Sequence, residues 1–232
     1  MKGLSIFVLL ALVVVGYFVF SKSNEKKETT EENESQMEET SDMSNDTAVS
    51  QDIDGVKDFN TEESMANWTG SKTLIKEYFD HGSIKIKSGN AVFAKGVLIS
   101  GEIVFDMNSI STNSTGRGDD EENLSGLAGH LKSADFFDAE KYPEAKFVVK
   151  EAVKNSETSY TLKGDLTIKD KTNPMSIEAS VTNENGMVAI KGTTNVDRSL
   201  FDVRYGSTKF FSDIGDNVIG DEFTLDFKVV TK

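Results

Sequence analysis

The chain holds only two histidines, His81 and His130, and the second stands three residues before Ser133 and eight before Asp138. A nucleophile, a base and an orienting carboxylate can therefore be drawn from one short segment, and such a set would hydrolyse an ester of a lipid-like substrate. Nothing else in the chain favours that reading. There is no glycine-rich loop opening a helix, no nucleophile elbow and no His-rich spacing. The absence of Cys excludes thiol nucleophiles, disulfides and thiolate-held metals. The run Asp119-Asp-Glu-Glu122 carries metal-ligand atoms but lacks the spaced oxygen ligands of a calcium loop, so it reads as the charged start of a helix. No catalytic residue, metal site or cofactor is expected. His130, Lys132 and Arg198 are instead the types that meet a phosphate or carboxylate head group. Each also has a plainer role. His130 can fix its own loop through the backbone, Lys132 and Arg198 can pair with Asp135 or Asp197, and the neighbouring Phe136 and Phe137 can simply fill a core.

The elements that must position these groups are strands. Phe223, Leu225, Phe227 and Val229 alternate with Thr224, Asp226 and Lys228. Tyr160, Leu162, Leu166 and Ile168 alternate with Thr161, Lys163, Asp165 and Thr167, and Ile84 and Ile86 with Lys85 and Lys87. Period two marks a sheet with one dry face. In 97–107 the same period puts Val97, Ile99, Ile103, Phe105 and Met107 on one face, with Gly101 marking a bend or a close backbone approach. Further strands are expected at 66–77, 145–153, 175–182 and 187–196. Turn signals at Ser88-Gly89-Asn90, Asn155-Ser156 and Asn183-Glu184-Asn185-Gly186 separate them, giving about eight. The expected class is all-β, a sandwich or a closed antiparallel barrel, whose interior at eight strands is either filled or just wide enough for a ligand. Residues 119–142 break the pattern: Leu124, Leu127 and Leu131 at helical spacing predict a short helix and ordered loop over one end. Trp68 is expected to anchor packing near the barrel base.

Outside this body, residues 3–20 are uncharged and almost wholly apolar. As a helix they would rise ~27 Å, close to the ~30 Å of a bilayer core. Residues 1–23 are therefore read as a membrane anchor or signal, with the weak cleavage site around Ser21 and Ser23 favouring an uncleaved anchor. Lys22, Lys26 and Lys27 after the span outnumber Lys2 before it, a count that would keep the body inside. Glu25 and Glu28 offset those lysines, and the very short N-terminal flank is that of an export signal, so an exported body in the periplasm or cell envelope is expected. From Glu25 to Ser64, 14 acidic residues face three lysines, which predicts a disordered acidic linker over 24–64. Residues 65–232 carry 25 acidic and 20 basic groups, ordinary for one soluble domain and unsuited to nucleic acid.

The run His130-Leu-Lys-Ser-Ala-Asp-Phe-Phe-Asp138, followed by Tyr142-Pro143 and Phe147, resembles the most distinctive segment of the YceI-like domains, described as polyisoprenoid-binding proteins with a lipocalin-like barrel. Gly164-Asp-Leu-Thr-Ile168 with Pro174 is similar to a later hairpin of that family. Val196-Asp-Arg-Ser-Leu-Phe201 through Gly220-Asp-Glu222 is similar to its closing segment. Trp68, Gly70, Lys72, His81-Gly82 and Phe105-Asp-Met-Asn-Ser-Ile110 fit its opening strands. The likeness covers about 65 to 232. It departs at Asp202, where a Gly usually follows the Phe, and in Arg204 to Asn217, longer and more aromatic than the usual link. The resemblance implies an extended eight-stranded antiparallel barrel holding an isoprenoid or other long-chain amphiphile near a membrane. Ile103, Phe105, Leu166, Phe136 and Phe137 would line the pocket, with His130, Lys132 and Arg198 at the head group. Burying ~500 Å² of tail is worth ~12 kcal/mol against water, but a tail coming from a bilayer is already dry, so selectivity must come from pocket shape and mouth polarity. A homodimer is compatible with this reading. A lipid-ester hydrolase, and an adhesion or carbohydrate-binding barrel presenting Tyr205, Phe210 and Phe211, are the alternatives.

Overall fold

A computed structural model describes residues 47–232, apart from 51, 185, 213, 214, 216 and 217. The apolar span expected at 3–20 and the acidic linker up to residue 46 lie outside the described residues. The elements are β1 (Gly55–Asp58), β2 (Met65–Ser71), β3 (Phe79–Ala94), β4 (Val97–Ser114), α1 (Glu121–Lys132), β5 (Glu144–Lys154), β6 (Ser159–Ile168), β7 (Lys171–Glu184), β8 (Met187–Asp197), a 3-10 turn at Arg198–Phe201, and β9 (Glu222–Val230). Strands β2 to β9 pair antiparallel in sequence order and β9 closes on β2, an eight-stranded up-and-down barrel with one helix. Closure removes the free edges that an open sheet of this size would expose.

The alternating residues face as the pattern requires. Tyr160, Leu162, Leu166 and Ile168 are buried on β6, as are Leu225, Phe227 and Val229 on β9. In β4 the face changes. Leu98, Ile103, Phe105 and Met107 are buried while Ile99 is exposed, because the β3–β4 register slips between Val92 and Phe93 and inverts the alternation beyond it. The expected turn at Ser88-Gly89-Asn90 is also absent: β3 runs through it to Ala94 and turns at Lys95-Gly96, both at positive φ. Gly89 is a mid-strand irregularity. A Cβ there would meet the Glu102 carbonyl at 2.4 Å and the Phe59 ring at 2.7 Å, so glycine marks close packing at this position. Gly101 does show the close approach its spacing predicts, 2.5 Å from the Asn90 carbonyl for a built Cβ.

The chain enters the barrel earlier than composition implies, which corrects the linker boundary at 64. β1 pairs with Asn90–Phe93 of β3, Phe59 is buried, and the Ser64 hydroxyl accepts from the Val230 N–H. A forty-residue average of charge hides one aromatic that anchors the segment.

The two ends of the barrel differ. At one end lie the β3–β4, β5–β6 and β7–β8 turns together with Thr47, which pairs with Asn183. There Phe59, Phe93, Phe147, Tyr160, Leu162 and Val188 fill the interior. At the other end lie the β2–β3 loop, α1 with the segment after it, and the long β8–β9 connection. Asp120 caps α1 by accepting from the Asn123 N–H, and Glu121 and Glu122 occupy its first turn, where the helix dipole favours negative charge.

Candidate functional site

The helix end of the barrel is hollow. A cavity of about 510 Å³ opens there, walled by Trp68, Ile84, Phe105, Met107, Leu166 and Leu225 from the strands. The α1 segment roofs it with Leu127, Leu131, Phe136 and Phe137. The latter two rings pack edge to face at 4.9 Å, and Phe137 meets Phe223 at 6.2 Å. Both are buried, so the pair joins the roof to the barrel wall. Trp68 is part of this wall and not the base anchor its aromatic bulk suggests. Its ring lies over Gly82, where a Cβ would come within 2.5 Å, and its Nε1–H donates to the Ser111 carbonyl at 3.1 Å.

Polar groups gather where the cavity meets solvent. Lys72 lies 5.2 Å over the Tyr78 ring, and Asp80, Arg117 and Tyr205 complete the opening. Burial and then the nearby Asp80 push the Tyr78 hydroxyl above its ordinary pKa, with Arg117 acting against them, so Tyr78 remains a neutral donor. Under the roof, the His130 ring packs against Tyr205 at 4.4 Å and Phe136 at 5.8 Å, and its Nε2 is buried without a hydrogen-bond partner. Such an atom is costly to leave unpaired. It is the clearest unmet polar requirement on the cavity wall.

Arg198 is 2% exposed and its guanidinium is already engaged. Nε donates to the Gly220 carbonyl at 2.9 Å, Nη1 to Val203 at 2.8 Å and Nη2 to Ile219 at 3.2 Å. Burial lowers its pKa, opposed by the charges of Asp221 and Asp197. Asp221 accepts from the Arg198 N–H through its backbone carbonyl at 2.9 Å, and its Oδ1, 3.7 Å from Nη2, has no hydrogen bond, while Asp197 is taken by Lys209 at 2.6 Å and by Ser199. Arg198 thus ties the β8–β9 connection together and presents positive charge to the cavity from behind.

A family description, the YceI-like domain, matches residues 58–231, which contain all eight strands of the barrel. The chain belongs to the YceI-like family. Relatives of this YceI-like chain include a UPF0312 protein of Pseudomonas putida strain W619, 32% identical over 46% of this chain and 51% of the relative. Another, from Photorhabdus laumondii, is 46% identical over 24% of this chain and 28% of the relative. The matched span is thus about half or less of the length of these relatives. Among solved structures, Burkholderia cenocepacia BcnA superposes with a TM-score of 0.59 at 20% identity, covering 75% of this chain and 99% of that one. A polyisoprenoid binding domain from Saccharophagus degradans, implicated in plant cell wall breakdown, gives 0.56 at 12% identity, covering 78% and 99%. At these identities the likeness is one of fold.

Within the YceI-like barrel, His130, Phe136, Phe137, Arg198, Phe105 and Leu166 come together on the cavity. Two expected residues do not. Ile103 is buried in the core away from the cavity, and Lys132, half-buried in the last turn of α1, does not line it. The hydrolytic set is not assembled either. The Ser133 hydroxyl donates to the His130 backbone carbonyl at 2.8 Å, and no hydrogen bond joins the His130 ring to Ser133 or Asp138. Among the described residues no cluster of His, Asp or Glu could hold a metal ion. The sequence reading missed Tyr78 and Arg117 at the opening and gave Tyr205 only as a surface aromatic of the adhesion alternative. Their only signal was being aromatic or cationic in irregular stretches; the loops that carry them meet only after folding.

Proposed function

We propose that this YceI-like chain is a binding protein, without catalytic activity, that holds the tail of an isoprenoid or other long-chain amphiphile in the half-hollow barrel. One observation carries the reading: an apolar cavity of about 510 Å³, within the ~300–1,000 Å³ usual for ligand sites, has its polar groups confined to the open end and the roof. An amphiphile has the same division. Its tail would lie along Trp68, Phe105 and Leu166, and its head group would sit near Lys72, Tyr78 and Arg117, with His130 Nε2 offered to an oxygen of the ligand. The description of the Saccharophagus degradans domain as polyisoprenoid binding supports the ligand class. We further propose that the body is exported to the cell envelope and held near a membrane by residues 3–20, with the acidic stretch beyond them acting as tether.

Organic extraction of the purified full chain followed by mass spectrometry tests the ligand. The expected result is a co-purified long-chain lipid that Phe105→Asp loses, since a carboxylate on the apolar wall cannot be desolvated by a tail. Protein that carries no lipid and takes none up from detergent-free vesicles would overturn the proposal.

A further inference from the structure

Exposed large apolar side chains are unevenly distributed over the barrel. Of the ten such residues among those described, seven lie at the open end: Leu74, Ile75 and Phe79 on the β2–β3 side, Tyr205, Phe210 and Phe211 on the β8–β9 connection, and Leu200 in the 3-10 turn that begins that connection. The two segments are one surface. Lys72 pairs with Ile219, the Gly220 N–H donates to the Ser71 carbonyl at 2.8 Å, and the Ile219 N–H to Gly206 at 2.8 Å. Leu74 is 60% exposed, Phe210 39% and Phe211 47%. Single exposed apolar residues need no explanation, but seven gathered at one end of a polar protein do.

We propose that this rim is a lipid-bilayer docking surface, pressed into the membrane interface while a tail passes between bilayer and cavity. The inference rests on the lipid-binding reading above and adds the route by which the cavity is filled. Two features favour a bilayer as the occupant. The rim is continuous with the cavity, because Tyr205 is both exposed and part of its lining, so a tail moving along it stays against apolar surface. Passage through water would instead expose that tail at ~25 cal/mol per Å². The cations are also placed for it: Lys72–Tyr78 and Arg204–Phe211 carry Lys72, Lys76, Arg204 and Lys209, of which Lys76 pairs with Glu77, Arg204 with Asp202 and Lys209 with Asp197 and Asp221. The Arg204 guanidinium lies 5.1 Å over the Phe210 ring. Cations set beside aromatics in this way suit the head-group layer, where rings and the stems of long cations bury and the charge meets phosphate. The acidic run Asp119–Glu122 leads into α1 at this same end of the barrel, with Glu122 on the cavity lining, so apolar insertion and not net charge supplies the attraction.

The test uses residues 43–232, a compact unit containing every strand of the closed barrel and the whole buried core. Leaving out residues 3–20 removes their own affinity for vesicles. Co-sedimentation with phosphatidylcholine–phosphatidylglycerol vesicles and the rate of transfer of a fluorescent long-chain lipid are compared with the variant Leu74→Ser/Phe210→Ser/Phe211→Ser. These are surface positions, so the fold should be kept, and retained circular dichroism confirms it. The expected result is at least a ~10-fold loss of vesicle association and of transfer rate, with the amount of lipid held at equilibrium unchanged. Transfer at the wild-type rate by the triple variant would overturn the docking proposal while leaving the lipid-binding reading intact. Rim-dependent vesicle binding by a protein that holds no lipid would do the reverse. A rim-dependent dimer in sedimentation velocity, with no vesicle binding, would assign the surface to a second copy and also overturn the proposal.

Discussion

The guanidinium of Arg198 stands 5.2 Å from the centre of the Phe136 ring, so a buried cation backs an aromatic on the cavity wall. The same group bonds the carbonyls of Val203, Ile219 and Gly220, which ties the mouth connection to the roof of the site. A charge in this position holds the loop geometry first and reaches a ligand only through the ring it covers.

Arg198→Ala is therefore expected to cost about 3–5 kcal/mol, since three carbonyls lose their donor and a buried cation disappears from beside Asp221. Urea denaturation reads this as a lower midpoint. Arg198→Lys should recover only part of it, because an ammonium cannot reproduce the planar fork. A midpoint unchanged by both variants would remove the latch role.

Cavity size limits the tail. Taking each heavy atom at about the ~30 Å³ share of a water molecule, 510 Å³ accommodates ~17 of them. In a series of alkyl phosphates, affinity should rise with chain length to roughly 16 carbons and then level off, because further methylenes find no wall to bury against. A rise continuing well past that length in titration calorimetry would show that the filled half of the barrel opens.

Ala145 lines the cavity beside Phe105 and is buried. Ala145→Phe should place its ring in the empty space, abolishing lipid retention while changing stability by less than about 1 kcal/mol. Extraction and urea denaturation of the one variant measure the two effects separately. A stability loss above about 2 kcal/mol would mean that the wall has no room there.

Asp202 occupies the position where the family usually has Gly, and its φ of 59° and ψ of 30° explain that preference. The left-handed conformation costs a side chain about 1–2 kcal/mol, less for Asp, and the exposed pair with Arg204 offsets part of it. Asp202→Gly should raise thermal stability slightly, by under about 1 kcal/mol. A clear fall in the melting temperature would show that the Arg204 contact outweighs the strain.

Acid should loosen the barrel at two carboxylates. Burial pushes Glu184 and Asp197 up, but Lys191 and Lys228 around the first, and Lys209 with the Ser199 hydroxyl and N–H around the second, hold both below their ordinary values. The unfolded chain then takes up these protons more readily than the folded one. The stabilisation is full above about pH 5.5, begins to fade as pH falls through the unfolded values of ~4.3 and ~3.9, and is lost below the lower folded ones. The drop in melting temperature from neutral pH to pH ~3 should be smaller in Glu184→Gln, which gives up its share at neutral pH. An equal drop in both proteins would exclude Glu184.

Much of this protein could be read from local periodicity. Most strands followed from alternation because each has one dry and one wet face, although the one expected over 66–77 ends at Ser71, and the helix followed from its leucine spacing and acidic first turn, so these needed no knowledge of distant neighbours. The segment from His130 to Asp138 was recognisable because it is contiguous, and it does form the roof of the cavity. Facts that depend on partners far along the chain could not be read in this way. The slip near Val92 turns Ile99 outward only because β3 sets the register of β4. Ser64 and Phe59 belong to the barrel because they meet Val230 and Gly89, and Tyr78 and Tyr205 share one opening because two loops meet by folding. Side chains at one end of the barrel fill its interior and at the other stand back from a common void; alternation specifies which way they point, and only closure of the sheet determines how far they reach.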